Sequence, residues 1–326
     1  GPYTVAVDDD PFGDVVVAGR LTTYLFIDGF SATSSGTDDI FLFKLDEHGH
    51  ARWLRTFAGG GHERATAIAT GADGTIYIAG RMTRGLDLGG GVLQGGTFVA
   101  AFDRDGNHLW SQGIKGGGEE GPTMLVATAD GGVLAAGQFF GTFQVPGGEP
   151  YEGFAGDMFI ARFGRSGEPV FGRAYGGPWK DFPLGLAETP SGIAFLGAFQ
   201  GPVDFGDGPI ELGYGLWTHA IVRVDLDASG RHVKTSVVEG SQEGYRPLSA
   251  ALGPAVSTIT TMDGYIRVDV EGNVLAESPL EAYPKLGRVP DGAAMVGLAH
   301  EPIEIDGVAI PAGASYVAPI CDAPLD

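Results

Sequence analysis

What most constrains this chain is a degenerate repeat of about 60 residues, carried by two independent markers. The first is a short apolar strand, a polar turn with glycine, and a second strand that ends in glycine. It reads Ala65-Thr-Ala-Ile-Ala-Thr-Gly-Ala-Asp-Gly-Thr-Ile-Tyr-Ile-Ala-Gly80 and returns from Met124 to Gly137 and from Leu184 to Gly197. The run from Tyr3 to Gly19 is another copy, and Leu286 to Gly297 a weak last one. The strand-ending glycines Gly19, Gly80, Gly137 and Gly197 step by 61, 57 and 60 residues. The second marker is an alternating apolar strand, a turn of Asp-x-x-Gly type and a further strand. Its turn glycines, Gly49, Gly106, Gly167, Gly230 and Gly272, step by 57, 61, 63 and 42. The last step is short because Val256-Ser-Thr-Ile-Thr-Thr runs almost directly into Met262-Asp-Gly264.

Each unit therefore holds four short strands, A to D. Tight Gly/Asp turns join A to B and C to D, as hairpins require. A longer B–C loop carries strings such as Leu86-Asp-Leu-Gly-Gly-Gly91, and a glycine-rich crossing leads from D to the next A. A four-stranded meander repeated in this way is the blade of a β-propeller, and no segment of helical period competes. The reading is all-β: a β-propeller of about six blades, with a seven-bladed or open propeller as the alternative. The expected blades are 3–60, 61–117, 118–177, 178–240, 241–282 and 283–326, forming one domain. The final string from Tyr316 to Asp322 aligns with Thr97 to Asp103, so the sixth blade lacks its outer strand. That missing strand invites strand donation from elsewhere. Gly1-Pro2 reads as the scar of a tag-removing protease, and on that reading the chain is cut from a longer protein.

The strings Asp39-Ile-Phe-Leu-Phe-Lys-Leu-Asp-Glu-His-Gly-His-Ala-Arg-Trp53 and Phe102-Asp-Arg-Asp-Gly-Asn-His-Leu-Trp110 resemble the bacterial β-propeller repeats called SBBP repeats. The Phe-x-Gly-Gly crossing fits as well. The resemblance covers residues 3 to about 240 and implies an extracytoplasmic binding or scaffolding module, secreted or on the cell surface. It brings no catalytic motif with it, and the family's usual seven blades are not met.

Composition narrows the partners. Twenty Lys+Arg against 41 Asp+Glu give a formal charge of −21, a surface that repels nucleic acid and anionic lipid. No apolar run approaches membrane-spanning length, so membrane insertion is not expected. The single cysteine, Cys321, permits no intrachain disulfide and falls at a strand position held elsewhere by Phe102 and Phe163. The seven histidines show no metal-ligand spacing, and no nucleophile elbow or phosphate loop is present; neither cofactor nor metal is expected.

Residues that recur at one place from blade to blade read as structure. Asp46, Asp103, Asp227 and Asp269 open C–D turns and are expected to cap them. Trp53 and Trp110 share one place in strand D and are expected between blades. Candidates for function are the residues that break the repeat, in the D–A crossings that share one face of a propeller with the B–C loops. These are His62, Arg64, Glu119, Glu120, Trp179, Lys180, Asp181, Tyr245, Arg246 and Lys285. Aromatic, guanidinium and carboxylate groups mixed in this way grip sugars or peptide side chains. The preferred reading is a non-enzymatic module that binds a protein or glycan at this rim. The alternatives are a structural spacer of a larger surface protein and a polysaccharide hydrolase or lyase.

Overall fold

The computed structural model describes residues 3–94, 96–115, 121–154, 156–212, 219–238, 247–252, 256–261, 264–279, 284–289, 292–298, 303–305, 308–310 and 315–320. The chain divides into two compact units, Gly1–Phe182 and Pro183–Asp326. Sequence alone suggests one domain. Among the described residues there is no helix, and every sheet is an antiparallel meander.

Three four-stranded sheets build the first unit. Their strands A to D are Tyr3–Asp9, Val15–Leu21, Asp39–Leu45 and Ala51–Phe57; then Glu63–Thr70, Ile76–Met82, Gly96–Phe102 and His108–Ile114; then Gly121–Ala127, Val133–Phe139, Asp157–Phe163 and Pro169–Tyr175. The fourth sheet runs Phe182–Thr189, Gly192–Phe199, Ala220–Leu226 and His232–Val237, and the fifth Pro247–Leu252, Val256–Thr261, Gly264–Asp269 and Val274–Pro279. The sixth has three strands, Pro284–Val289, Gly292–Leu298 and Ser315–Ile320. Among the described residues these are six blade sheets of a β-propeller fold, the last with three strands.

Burial follows strand position. Strands B and C of the first four sheets are buried along nearly their whole length, Val133–Phe139 throughout, so most of their residues are apolar on both faces. Strand A alternates, as in Glu63–Thr70. Ile76 and Ile78 face the first sheet, packing with Val16, Ala18, Ile40 and Leu42, while Tyr77 and Ala79 face the third, packing with Val133, Ala135 and Phe159. The core of the first unit thus lies between neighbouring sheets.

The turn acids do what their repetition implies. Asp46 Oδ1 accepts the amides of His48 and His50, both at 2.9 Å, and Asp103, Asp227 and Asp269 make the same pair of bonds. In the third sheet, where Gly164 takes this place, Glu168 reaches back to the Ser166 amide instead. Trp53 Nε1 donates to the Arg104 carbonyl and Trp110 Nε1 to the Arg165 carbonyl, each in the C–D turn of the next sheet. Two residues on, Arg55 and Gln112 donate to the carbonyls of Gly106 and Gly167. A β-bulge stands just before each of the five C–D turns, between Lys44 and Leu45 in the first.

Two features go beyond the sequence reading. The B–C segments are not plain loops: five of them fold into small hairpins, such as Tyr24–Ile27 with Phe30–Thr33 and Leu86–Asp87 with Val92–Leu93. Asp87 and Asp204 cap these hairpins through amides two and four residues on. The first sheet also buries a charged group, Lys44, at 1% exposure. Its ammonium lies against Asp10 and, at 3.2 Å, Asp14, whose other oxygen takes a 3.0 Å bond from Arg52 Nε.

Candidate functional site

The D–A crossings of the first unit are tied to the ends of the B–C segments by a repeated set of bonds. At the first crossing the Glu63 amide donates to the Asp38 carbonyl at 3.1 Å; at the third the Asp181 amide donates to the Gly156 carbonyl at 2.9 Å. In both crossings an acid at the entry to strand A, Glu63 as its first residue and Asp181 just before it, turns back on the glycines before it. Glu63 accepts the amides of Gly59 and Gly61, and Asp181 accepts the amide of Gly177. A second acid opens strand C beneath each crossing, Asp39 in the first sheet and Asp157 in the third, both buried with Oδ1 unpartnered. This stacking accounts for the glycines: a Cβ on Gly176 would stand 2.3 Å from the carboxyl carbon of Asp157.

The first crossing opens onto a cavity of about 140 Å³ lined by Arg20, Asp38, His62, Glu63, Arg64 and Arg81. Strand ends position every group. Arg20 and Arg81 each follow the strand-ending glycine of strand B, and Arg64 lies directly opposite Arg81 across the A–B pairing. His62 Nδ1 is 2.8 Å from Asp38 Oδ2, and Arg20 reaches the same oxygen at 3.5 Å. The His62 backbone is held on its other side by Thr83, whose hydroxyl accepts its amide at 2.7 Å. Burial, reinforced by the nearby Asp39 charge, raises the Glu63 pKa against the amides that hold its carboxylate.

Of the expected rim residues, His62 and Arg64 meet at this cavity. Trp179 and Lys180 lie on the third crossing, Trp179 with 51% of its surface exposed and Lys180 Nζ 5.1 Å from the ring centre of Phe182. Phe140 and Lys180 flank Gly156 there, and Phe154, two residues from Gly156, is exposed. Asp181 shares the crossing but not the surface: it is fully buried, with its carboxylate on the Gly177 amide. Glu119, Glu120, Tyr245 and Arg246 lie outside the described residues, as does Cys321; Lys285 stands in the first strand of the sixth sheet. Arg20, Asp38 and Arg81 were not singled out from the sequence. The signal was there in Gly19-Arg20 and Gly80-Arg81, where the next repeats have Gln138 and Ala198. Among the described residues no group of three or more His, Cys, Asp or Glu is arranged to hold a metal, and no helix is long and apolar enough to cross a membrane.

No family model matches the chain. A stretch of 113 residues is 33% identical to the regulatory protein FlaEY of Caulobacter vibrioides, covering 32% of this chain and 11% of that protein. Among solved structures, the chain is similar to a protein of unknown function from Bacteroides caccae, at TM-score 0.43 and 11% identity over 86% of this chain and 83% of that one. A putative gluconolactonase follows, at TM-score 0.39 and 14% identity over 91% and 88%, and the Pan2 WD40 domain of Neurospora crassa, at 0.39 and 9% over 90% and 86%. None of these likenesses carries an argument on function, and the fold rests on the strand order of the sheets.

Proposed function

We propose that this chain is a non-enzymatic, extracytoplasmic binding module that recognises a protein or glycan where the D–A crossings meet the B–C segments. The observation that carries the reading is the cavity at the first crossing. Its polar groups come from the ends of four different strands and loops, while the repeated acids of the same sheets are spent on capping turns. Exposed Trp179 and Phe154 at the third crossing add the flat apolar faces on which sugars and peptide side chains stack. A hydrolase or lyase reading needs a carboxylate free to act as acid or base. In the cavity Glu63 is held by the Gly59 and Gly61 amides, and Asp38 by His62 and Arg20, which favours recognition over turnover.

The test is to screen the whole chain against arrays of glycans and peptides, and to repeat it with His62→Ala and Trp179→Ala. Both side chains are exposed, so the variants should keep the wild-type unfolding temperature within a degree or two, since surface changes are worth about 0.5 kcal/mol or less. Loss of a captured ligand in either variant is the expected result. Capture that neither substitution alters would place recognition elsewhere and end this reading.

A further inference from the structure

The third crossing is built on the same frame as the first, with three aromatic rings added. In both, the amide of the crossing acid donates to the chain before strand C, and its carboxylate takes the amide four residues back. Places in the two frames can therefore be matched. Leu21 pairs with Asp39 and Phe139 with Asp157, so the residue after strand B is Thr22 in the first sheet and Phe140 in the third. Three residues before those acids stand Gly36 and Phe154, and two residues before Glu63 and Asp181 stand Gly61 and Trp179. A threonine and two glycines suffice for the frame at the first crossing, so the rings of the third serve something besides it. They are also left in water: Phe154 is 83% exposed, Trp179 51% and Phe140 37%. Their mounting is firm. The Phe154 amide donates to Asp157, the Gly177 amide to Asp181, and the Asp181–Gly156 bond ties the two arms together. A Cβ on Gly156 would stand 3.0 Å from Phe140 Cζ. Phe154 and Trp179 each lie two residues from that bond, no more than about 7 Å of chain.

We propose that Phe140, Phe154 and Trp179 are a stacking platform for an uncharged glycan of equatorially substituted pyranose units, the glucose type. The proposal rests on the binding-module reading above and names its ligand class. Such a sugar carries its hydroxyls at the rim and only C–H bonds on its two faces, so it lays a flat apolar face on an exposed ring. Rings fixed in advance by the frame lose little freedom when the ligand arrives. Charge selects among ligands. An anionic glycan meets the field of a chain whose formal charge is −21. The cation that ring faces attract is supplied by the chain itself, with Lys180 Nζ 5.1 Å from the ring centre of Phe182 and its stem beside Gly156. The two carboxylates of the frame, Asp157 and Asp181, are buried beneath the rings and turned to backbone amides, where they offer a cationic ligand no counter-charge at the surface. A peptide side chain gains most by entering a cleft, whereas a pyranose face needs only a flat ring standing in water.

The experiment is calorimetric titration of the whole chain with cellohexaose, hexagalacturonate and pentalysine. It compares the wild type with Phe154→Ala, Trp179→Ala and Trp179→Phe, and with Phe26→Ala as a control, an exposed ring on the first B–C hairpin. Cellohexaose should bind, and each alanine variant should weaken it about two- to tenfold, the worth of one aromatic stacking contact. Trp179→Phe keeps a ring face and should stay within about twofold of the wild type. Phe26→Ala should leave the affinity unchanged, and all four variants should unfold within a few degrees of the wild type. Hexagalacturonate should bind at least about tenfold more weakly than cellohexaose. Tighter binding of hexagalacturonate or pentalysine overturns the uncharged ligand class. Should Phe154→Ala and Trp179→Ala unfold well below the wild type, the rings belong to the fold and the assignment fails. Cellohexaose binding that neither alanine variant weakens overturns the platform while the module reading stands. No binding of cellohexaose overturns the inference, whereas the array screen with His62→Ala and Trp179→Ala decides the module reading by itself.

Discussion

Asp157 opens the third strand of the third sheet with 7% of its surface exposed, and it should give the protein an unusual stability profile on the mildly acid side of neutrality. Burial pushes its pKa from 3.8 up to about 6, against a single amide bond from Phe154 that works the other way. Its Oδ1 is buried without a partner. Since the folded value lies above the unfolded one, the folded state holds the proton more tightly. The group's stabilising contribution is complete below the unfolded pKa and disappears as pH rises through about 6. A gap of about two units at about 1.4 kcal/mol each makes the whole effect about 3 kcal/mol, of which about 1.4 kcal/mol falls between pH 5 and 8. Several acids run the opposite way. At Asp10 burial opposes the charge, but the Lys44 ammonium and the amides of Asp14 and Phe12 outweigh it and hold the pKa below its usual value. At Asp73 and Asp130 the bonds from Thr75 and Thr128 lead in lowering it. Their contributions are present above the unfolded carboxylate pKa and are lost as pH falls below it. Stability should therefore peak near pH 5, between the two sets. Asp157→Asn removes the titration and leaves a buried amide in its place, a fixed cost of about 1–3 kcal/mol at every pH. Urea unfolding at pH 5 to 8 and constant ionic strength, followed by the fluorescence of Trp53 and Trp110 in the same unit, measures the difference. The wild type should lose about 1.4 kcal/mol relative to the variant over that range. A gap between the two that does not change with pH would refute the reasoning.

Two further substitutions test the packing of the first unit. Lys44→Met leaves Asp10 buried without its cation and Asp14 with Arg52 alone, and should cost about 3–5 kcal/mol in urea unfolding; a loss below about 1 kcal/mol would show that the pair is reached by water. Gly167 has φ +83°, and a Cβ there would stand 2.6 Å from the Trp110 indole, whereas Gly13 has φ +84° and open space around it. Gly13→Ala should cost the ~1–2 kcal/mol of a left-handed residue. Gly167→Ala should cost clearly more and perturb Trp110 emission, and equal losses at the two sites would remove the inter-sheet contact as an explanation.

The period was legible because the same physics recurs in every unit. A C–D turn needs an acceptor for the amides two and four residues on, so Asp46, Asp103, Asp227 and Asp269 appear on schedule, and strand D needs an indole or its substitute for the next turn. Where the requirement is met by other chemistry, the marker fades. In the fourth sheet Lys234 stands where Trp53 stands in the first, reaching Glu271 at 3.4 Å, and Ser236 donates to the Val270 carbonyl. The B–C hairpins were missed because their strands are two to four residues long, too short for alternation to register.

The site divides along the same line. His62 and Arg64 could be picked out because they depart from the repeat within a crossing whose place was known. Asp181 departs from it equally, yet its carboxylate turns inward to hold Gly177, and nothing in Pro178-Trp-Lys-Asp181 distinguishes a side chain that faces out from one that caps the chain behind it. Arg20 and Arg81 were hidden for the opposite reason. They sit at a repeated position, and repetition argues for structure only while the residue type keeps serving one structural bond. Here the position is filled by arginine in two sheets, by Gln138 in the third, whose amide donates to the Asp181 carbonyl, and by Ala198 in the fourth. A place in the repeat whose residue type changes from sheet to sheet offers no single structural bond for a sequence reading to recognise. Placing these arginines at the cavity needs the A–B register and the position of Asp38, and both come from pairing between segments far apart in the chain.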